Sequence, residues 1–268
     1  ATTEIYTLSL HDALPISIRK RAPCFLRRAI KVQILKQTTT KLGNKIELIA
    51  DKDFSPLTSH FSLVIGVFHG DEPQGKFLIE EYLKKHGEGG DIAQIFPYNN
   101  VRSTRGECRH PANVLFIPCL NPDGMALGTR TNANGVDLNR NFPTKNWGED
   151  TSKAGDNPSD YFGGKFAGSE IETQFLIEVI EEYKPEKILT LHAPYKVVNY
   201  DGPAKDWAES ISKIINYPVE ESIGYPTPGS FGTYAGVERN IPVITLELDE
   251  EIPPEQLIPP VFEIFDNL

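Results

Sequence analysis

Long apolar runs are missing from this sequence of 268 residues. None reaches the ~20 residues of a membrane-spanning helix, so no membrane span is expected. Cysteine is scarce: Cys24, Cys108 and Cys119 make an odd number, and their spacing fits no zinc pattern. Free thiols in a reducing compartment are the expectation, and no disulfide framework is. Basic charge is not in excess. Lys and Arg number 27 against 37 Asp and Glu, a net charge of −10. That argues against a nucleic-acid or anionic-membrane partner, which needs a basic field. It still allows an anionic substrate, because a bound dication and a few arginines reverse the sign locally. No internal repeat, low-complexity block or linker interrupts the chain. Residues 18–268 are expected to form one domain, of a size that buries roughly 70–75% of its unfolded surface.

The first residues stand apart. Thr2 to Ile16 reads TTEIYTLSLHDALPI, which matches the conceptual translation of a common short-read sequencing adapter. Residues 1–17 are therefore expected to be foreign to the fold, and His11 and Asp12 to have no function. A genuine N-terminal strand or helix is the alternative. Residues 17–36 are basic, through Arg19, Lys20, Arg21, Arg27, Arg28, Lys31 and Lys36. They hold no long apolar stretch, so no secretion signal is read there.

Short apolar runs bounded by turn residues mark buried strands at 45–50, 62–68, 113–120, 187–191 and 242–248. Apolar positions at helical spacing mark a helix over 72–85. A second is expected over 169–183, where Ser169-Glu170-Ile171-Glu172 has the pattern of a capping box. Weaker helical patterns cover 205–216 and 254–266. Strands alternating with helices predict an α/β domain built on a mostly parallel, mixed, twisted sheet flanked by helices. The polar stretch 121–168, rich in Gly, Asn and Pro, is a long loop of the kind that carries function.

The strand at 62–68 runs straight into His69-Gly70-Asp71-Glu72-Pro73-Gln74-Gly75. A His and a Glu three apart on a strand-to-helix turn can converge on one ion. Catalytic zinc takes such ligands, three from the protein plus water. Taken alone, the pair is a weak signal and reads more readily as surface or capping residues. His192 directly follows Ile188-Leu189-Thr190-Leu191, where a lone histidine is commonly a hydrogen-bonded core residue. Yet both histidines end a buried strand, which is where open α/β sheets build their sites. Glu247 sits in Thr245-Leu246-Glu247-Leu248, and a carboxylate in an apolar run is costly without a task or a partner. A buried structural ion pair is its other reading. His60, His86 and His110 stand in polar surroundings and are expected to be solvated.

These residues resemble the M14 family of zinc carboxypeptidases. His69-Gly70-Asp71-Glu72 matches the first ligand pair, and Asn121-Pro122-Asp123-Gly124 matches an NPDG turn. Gly135 to Phe142, GVDLNRNF, matches a GVDxNRN segment. Leu191-His192-Ala193 matches the second histidine, and Thr245-Leu246-Glu247-Leu248 the strand of the catalytic glutamate. Gly224 to Thr233, GYPTPGSFGT, and Arg130 to Asn134, RTNAN, place the resemblance nearest the murein peptide amidases.

The resemblance implies a zinc-dependent metallocarboxypeptidase with one zinc per chain on His69, Glu72 and His192. Glu247 would move the proton of the attacking water. Arg130 would share the charge on the developing oxyanion. Asp137 would accept a hydrogen bond from the His69 imidazole, with a plain Asx turn as its alternative. Asn139 and Arg140 would hold the free C-terminal carboxylate of a small peptide, with a surface salt bridge as the alternative for Arg140. Tyr225 would cap the substrate, or be a packed loop aromatic. Gly229 and Gly232 would let the backbone approach the substrate closely.

The activity implied is hydrolysis of the γ-D-glutamyl–meso-diaminopimelate bond of L-Ala-γ-D-Glu-mDAP in cytoplasmic peptidoglycan recycling. Two other readings remain. One is an N-acyl amino-acid deacylase of the aspartoacylase or succinylglutamate desuccinylase kind. The other is an inactive module that binds peptide carboxylates.

Overall fold

A computed structural model describes residues 32–51, 60–87, 114–148, 158–221 and 225–268. The adapter-like segment 1–17 lies outside them, as do Cys24, Cys108, His110 and Gly224.

The chain forms one eight-stranded sheet in the order β1-β2-β4-β3-β5-β8-β6-β7. The strands are β1 (Val32–Thr39), β2 (Lys45–Asp51), β3 (Ser62–Gly66), β4 (Val114–Ile117), β5 (Lys187–His192), β6 (Val197–Asp201), β7 (Val219–Glu220) and β8 (Val243–Glu247). The central four, β4, β3, β5 and β8, are parallel. β1, β2 and β6 join antiparallel to their inner neighbours. The central strands read as unbroken apolar runs because both of their faces are covered.

One face carries α3 (Ile171–Tyr183), whose Phe175, Leu176, Val179 and Ile180 pack with Leu63, Ile65 and Ile188. The other carries α1 (Gln74–Gly87), α4 (Lys205–Ile215) and α5 (Ile258–Asp266), packed on Val64, Leu189 and Ile244. The expected helices are thus present within a few residues of their predicted bounds. The last is led by a 3-10 turn, Pro254–Leu257.

Three strands escape sequence reading: β1, β6 and β7. The first alternates partly exposed and exposed positions at a sheet edge, and the last has two residues. The expected strand 113–120 is shorter, ending at Ile117 before Pro118, which has no N–H for the ladder. The expected strand 62–68 ends at Gly66 because Val67 turns into the left-handed region, with φ of 55°. That is a costly conformation for a β-branched residue, and it points the chain into His69.

The capping box at Ser169 is not formed. The N-cap of α3 is Glu170, with no side-chain cap, and the Ser169 hydroxyl instead donates to Glu170 Oε1 at 2.5 Å. Within the long loop lie a short helix, α2 (Pro122–Leu127), and 3-10 turns at Leu138–Arg140 and Pro158–Tyr161.

Candidate metal centre and active site

Parallel strands bring their carboxyl ends to one edge. His192 ends β5 and Glu247 ends β8, and the two are direct partners across the ladder. His69 follows β3 by three residues, and Glu72 lies in the turn before α1. All four side chains are buried, at 3%, 6%, 3% and 8% exposure respectively.

The turn can fold this tightly because Gly70 lies on the NPDG turn. A Cβ at Gly70 would stand 2.0 Å from the carbonyl carbon of Gly124. That turn is itself held from below. Asp123 accepts from Thr40 Oγ1 at 2.5 Å, Leu42 N at 3.0 Å and Asn44 Nδ2 at 2.8 Å.

His69, Glu72 and His192 each aim one ligand atom at a common point, all within 4.8 Å of one another. Glu72 Oε1 is 2.7 Å from His69 Nδ1 and Glu72 Oε2 is 3.2 Å from His192 Nδ1. The two Nδ1 atoms face each other across 3.4 Å. Tetrahedral zinc with bonds of ~2.0–2.1 Å sets its nitrogen ligands about 3.4 Å apart. Two imidazole nitrogens and a buried carboxylate are also the donor set such an ion takes, so the residues fit a metal.

Their charge states follow from mutual contact. Burial and Arg130 push the His69 pKa down, but the Glu72 and Asp137 carboxylates outweigh both and raise it to about 9. Burial alone would raise Glu72, but the two histidines hold it well below the usual carboxylate range. His192 is lowered, chiefly by burial.

Asp137 forms the turn of its alternative reading and stands beside the His69 ring. It is fully buried. Its Oδ1 accepts from Asn139 N at 2.8 Å, forming the turn, and lies 3.3 Å from His69 Nε2. That second approach does not meet hydrogen-bond geometry, so Nε2 is buried without a hydrogen-bond partner. Its Oδ2 takes Arg130 Nε and Nη2 at 3.1 and 3.0 Å. Arg130 is thereby clamped, with Nη1 turned to within 3.8 Å of Glu72 Oε1.

Glu247 flanks this group. Its Oε2 is buried and has no hydrogen-bond partner, while the Tyr195 backbone N–H reaches its carboxylate. Burial, then the Glu72 charge, push its carboxyl up to about 8. The ion-pair reading therefore fails: Glu247 has no salt bridge among the described residues.

Arg140 is 2% exposed and, among the described residues, makes no salt bridge. Nη1 donates to Asn139 O at 2.7 Å, while Nε is buried without a partner. Its guanidinium lies 5.6 Å from the Tyr161 ring centroid, and Arg130 lies 5.1 Å from the same ring. It opens onto a cleft of about 570 Å³ walled by Trp147, Tyr161, Phe162 and Pro228. A guanidinium buried without an anion has spare capacity for a planar carboxylate.

Asn139 Oδ1 accepts from Phe231 N at 2.8 Å. Tyr225 is half-buried within electrostatic reach of Arg140 and Arg130, and burial pushes its phenol up to about 12.

Two expectations need correction. Gly229 and Gly232 allow close approach to protein and not to substrate. A Cβ on Gly229 would meet Arg140 O at 2.2 Å, and one on Gly232 would meet Asp201 Oδ2 at 2.0 Å. Sequence reading also missed Tyr161, between the two arginines, and Phe68, which stacks on His192 with ring centroids 5.2 Å apart. No pattern marked Tyr161. Phe68 was placed only as the end of a strand. His60 is exposed and pairs with Glu186, in line with its solvated reading.

Residues 63–213 match the zinc carboxypeptidase family. The chain is 39% identical to murein peptide amidase A of Escherichia coli (strain K12) over 137 residues, covering 49% of this chain and 56% of that protein. It is 39% identical to murein peptide amidase A of Vibrio campbellii over 155 residues, covering 55% and 60%. It thus spans little more than half the length of the curated relatives it matches. Among solved structures, it resembles the murein-tripeptide amidase of Escherichia coli O157 with a TM-score of 0.65 at 26% identity, covering 92% of this chain and 95% of that one. It shares its fold with the carboxypeptidase A of Helicoverpa armigera, with a TM-score of 0.63 at 18% identity, covering 89% and 66%.

Proposed function

Because the chain belongs to the zinc carboxypeptidase family, we propose that it is a metal-dependent hydrolase that removes the C-terminal residue of small peptides. Its substrate on this reading is L-Ala-γ-D-Glu-mDAP, cut at the γ-D-glutamyl–mDAP bond during peptidoglycan recycling. The observation that carries the reading is the juxtaposition of three converging ligands with an unpartnered Glu247 carboxylate. The murein substrate draws support from the relatives named murein peptide amidase A.

His69, Glu72 and His192 would hold one zinc per chain, which when bound supplies a Lewis acid and lowers the pKa of water. Glu247 takes the proton of the attacking water at Oε2 and returns it to the departing amine. Arg130, fixed by Asp137, offers Nη1 to the charge that builds on the carbonyl oxygen. Asp137 steadies the His69 ring. Asn139 and Arg140 grip the α-carboxylate of the departing residue, and Tyr225 closes over it. An internal peptide bond offers no carboxylate there, so cleavage is confined to C-terminal residues.

The test is purified, zinc-loaded protein incubated with L-Ala-γ-D-Glu-mDAP, a conventional C-terminal peptide and an N-acyl amino acid, read by mass spectrometry. Release of mDAP supports the reading. Cleavage of the N-acyl amino acid alone points to a deacylase, and zinc binding without any turnover to a binding module.

A further inference from the structure

Arg130 and Arg140 are held on different footings. Arg130 is tied to the Asp137 carboxylate by two hydrogen bonds. Arg140 has one among the described residues, to the carbonyl of its own neighbour Asn139, and its Nε is buried without a partner. The Asp137 charge reaches it through space, with no salt bridge between them. A buried cation with so little support is costly, and one bond leaves the direction of its fork unfixed.

The missing support is a ring. The Tyr161 centroid lies 5.6 Å from the Arg140 guanidinium and 5.1 Å from that of Arg130. Both fall inside the ~6 Å range over which a cation is drawn to an aromatic face. A planar guanidinium also stacks on such a face, so the contact limits its orientation as well as its position.

Ring and arginine are fixed relative to each other through the backbone. Tyr161 closes the 3-10 turn Pro158–Tyr161. Just after it, Phe162 O accepts from Asp137 N at 2.9 Å. Gly163 O accepts from Asn141 Nδ2 at 2.8 Å and from Trp147 Nε1 at 3.2 Å. A Cβ on Gly163 would stand 2.7 Å from Arg140 O. The chain that carries Tyr161 is thus laid directly against the turn that carries Arg140, and both side chains wall the same cleft.

We propose that Tyr161 is a positioning residue, whose ring holds the Arg140 fork in place for the α-carboxylate of the substrate's C-terminal residue. The inference rests on the reading of Arg140 as the carboxylate anchor. Arg130 meets the same ring but is fixed without it, by Asp137. The ring therefore acts on binding more than on the chemical step.

The test compares the zinc-loaded wild type with Tyr161→Phe, which keeps the ring, and with Tyr161→Leu and Tyr161→Gln, which remove it. Free meso-diaminopimelate is titrated by calorimetry as the carboxylate probe, and steady-state cleavage of L-Ala-γ-D-Glu-mDAP gives KM and kcat. Both ring-less variants should weaken binding and raise KM about 3–30-fold, the scale of one cation–π contact. Their kcat should change less than KM. Tyr161→Phe should behave as the wild type, because Phe offers the same face. Full binding by both ring-less variants, an equal loss in Tyr161→Phe, a loss confined to kcat, or no binding of diaminopimelate by the wild type overturns the proposal. Lost zinc or a lowered urea midpoint in both ring-less variants also overturns it, because that marks a structural role. The expected binding losses without any cleavage by the wild type would discard the hydrolase reading and keep Tyr161.

Discussion

Glu247 and Glu72 are both buried carboxylates beside two histidines, yet they are driven in opposite directions. Glu72 accepts from both rings and stays ionised, while Glu247 keeps one oxygen unpartnered and is raised to about 8. That difference separates the proposed ligand from the proposed base. Glu247→Gln is expected to keep the metal and lose about 10²–10⁴-fold in kcat. Metal analysis and steady-state kinetics on one preparation check this, and a near-normal kcat would remove Glu247 from the base role. Arg140→Lys keeps a charge but loses the planar fork. It should raise KM for the C-terminal peptide about 10–100-fold with a smaller change in kcat. A change confined to kcat would place Arg140 away from the carboxylate.

The proposed ligand residues stand out in the sequence because each ends or closely follows an apolar run. Tyr161 does not.

At the scale of elements, the site depends on how closely two turns meet. Gly70→Ala would drive a Cβ into the Gly124 backbone. It is expected to cost about 1–3 kcal/mol, the usual range for overpacking, seen as a lower urea midpoint with an unchanged slope. The start of α3 explains the failed capping box. Asn132 and Asn134 draw the carboxylates toward the active-site loop: Glu170 Oε2 accepts from both, at 2.8 and 2.7 Å, and Glu172 Oε2 accepts from Asn132 at 3.3 Å. Local pattern suggested a cap, and tertiary contacts used the same side chains to brace residues 130–141.

That bracing has a pH signature. Burial raises the Glu172 carboxyl to about 7 from 4.5. The folded chain therefore binds this proton more tightly than the unfolded one, and stability falls as pH rises from about 4.5 to about 7, then levels off. Glu172→Gln should remove that part of the slope in urea midpoints measured across this range. An unchanged slope would show that Glu172 is ionised normally in the fold.

Across the whole molecule, the α/β class and the four parallel strands were legible because buried strands leave unbroken apolar runs. The outer strands were not, because β1 alternates at a solvated edge, β6 runs into the polar Asn199-Tyr200-Asp201 and β7 has only two residues. Strand order is invisible in the chain and is what unites His69, His192 and Glu247 from segments more than fifty residues apart. Among the described residues no helix is long and apolar enough to cross a membrane.

A metal bound only by the folded state should stabilise it by mass action. Chelation should therefore lower Tm as well as activity, and Zn²⁺ should restore both. Unchanged melting after verified metal removal would place the ion outside the His69–Glu72–His192 group. The most direct single measurement is mass-spectrometric release of mDAP from L-Ala-γ-D-Glu-mDAP by zinc-loaded protein, with a chelated and re-zincated control. Release that stops on chelation and returns with Zn²⁺ is the predicted result. No release by the zinc-loaded protein, or release that chelation leaves untouched, would contradict it.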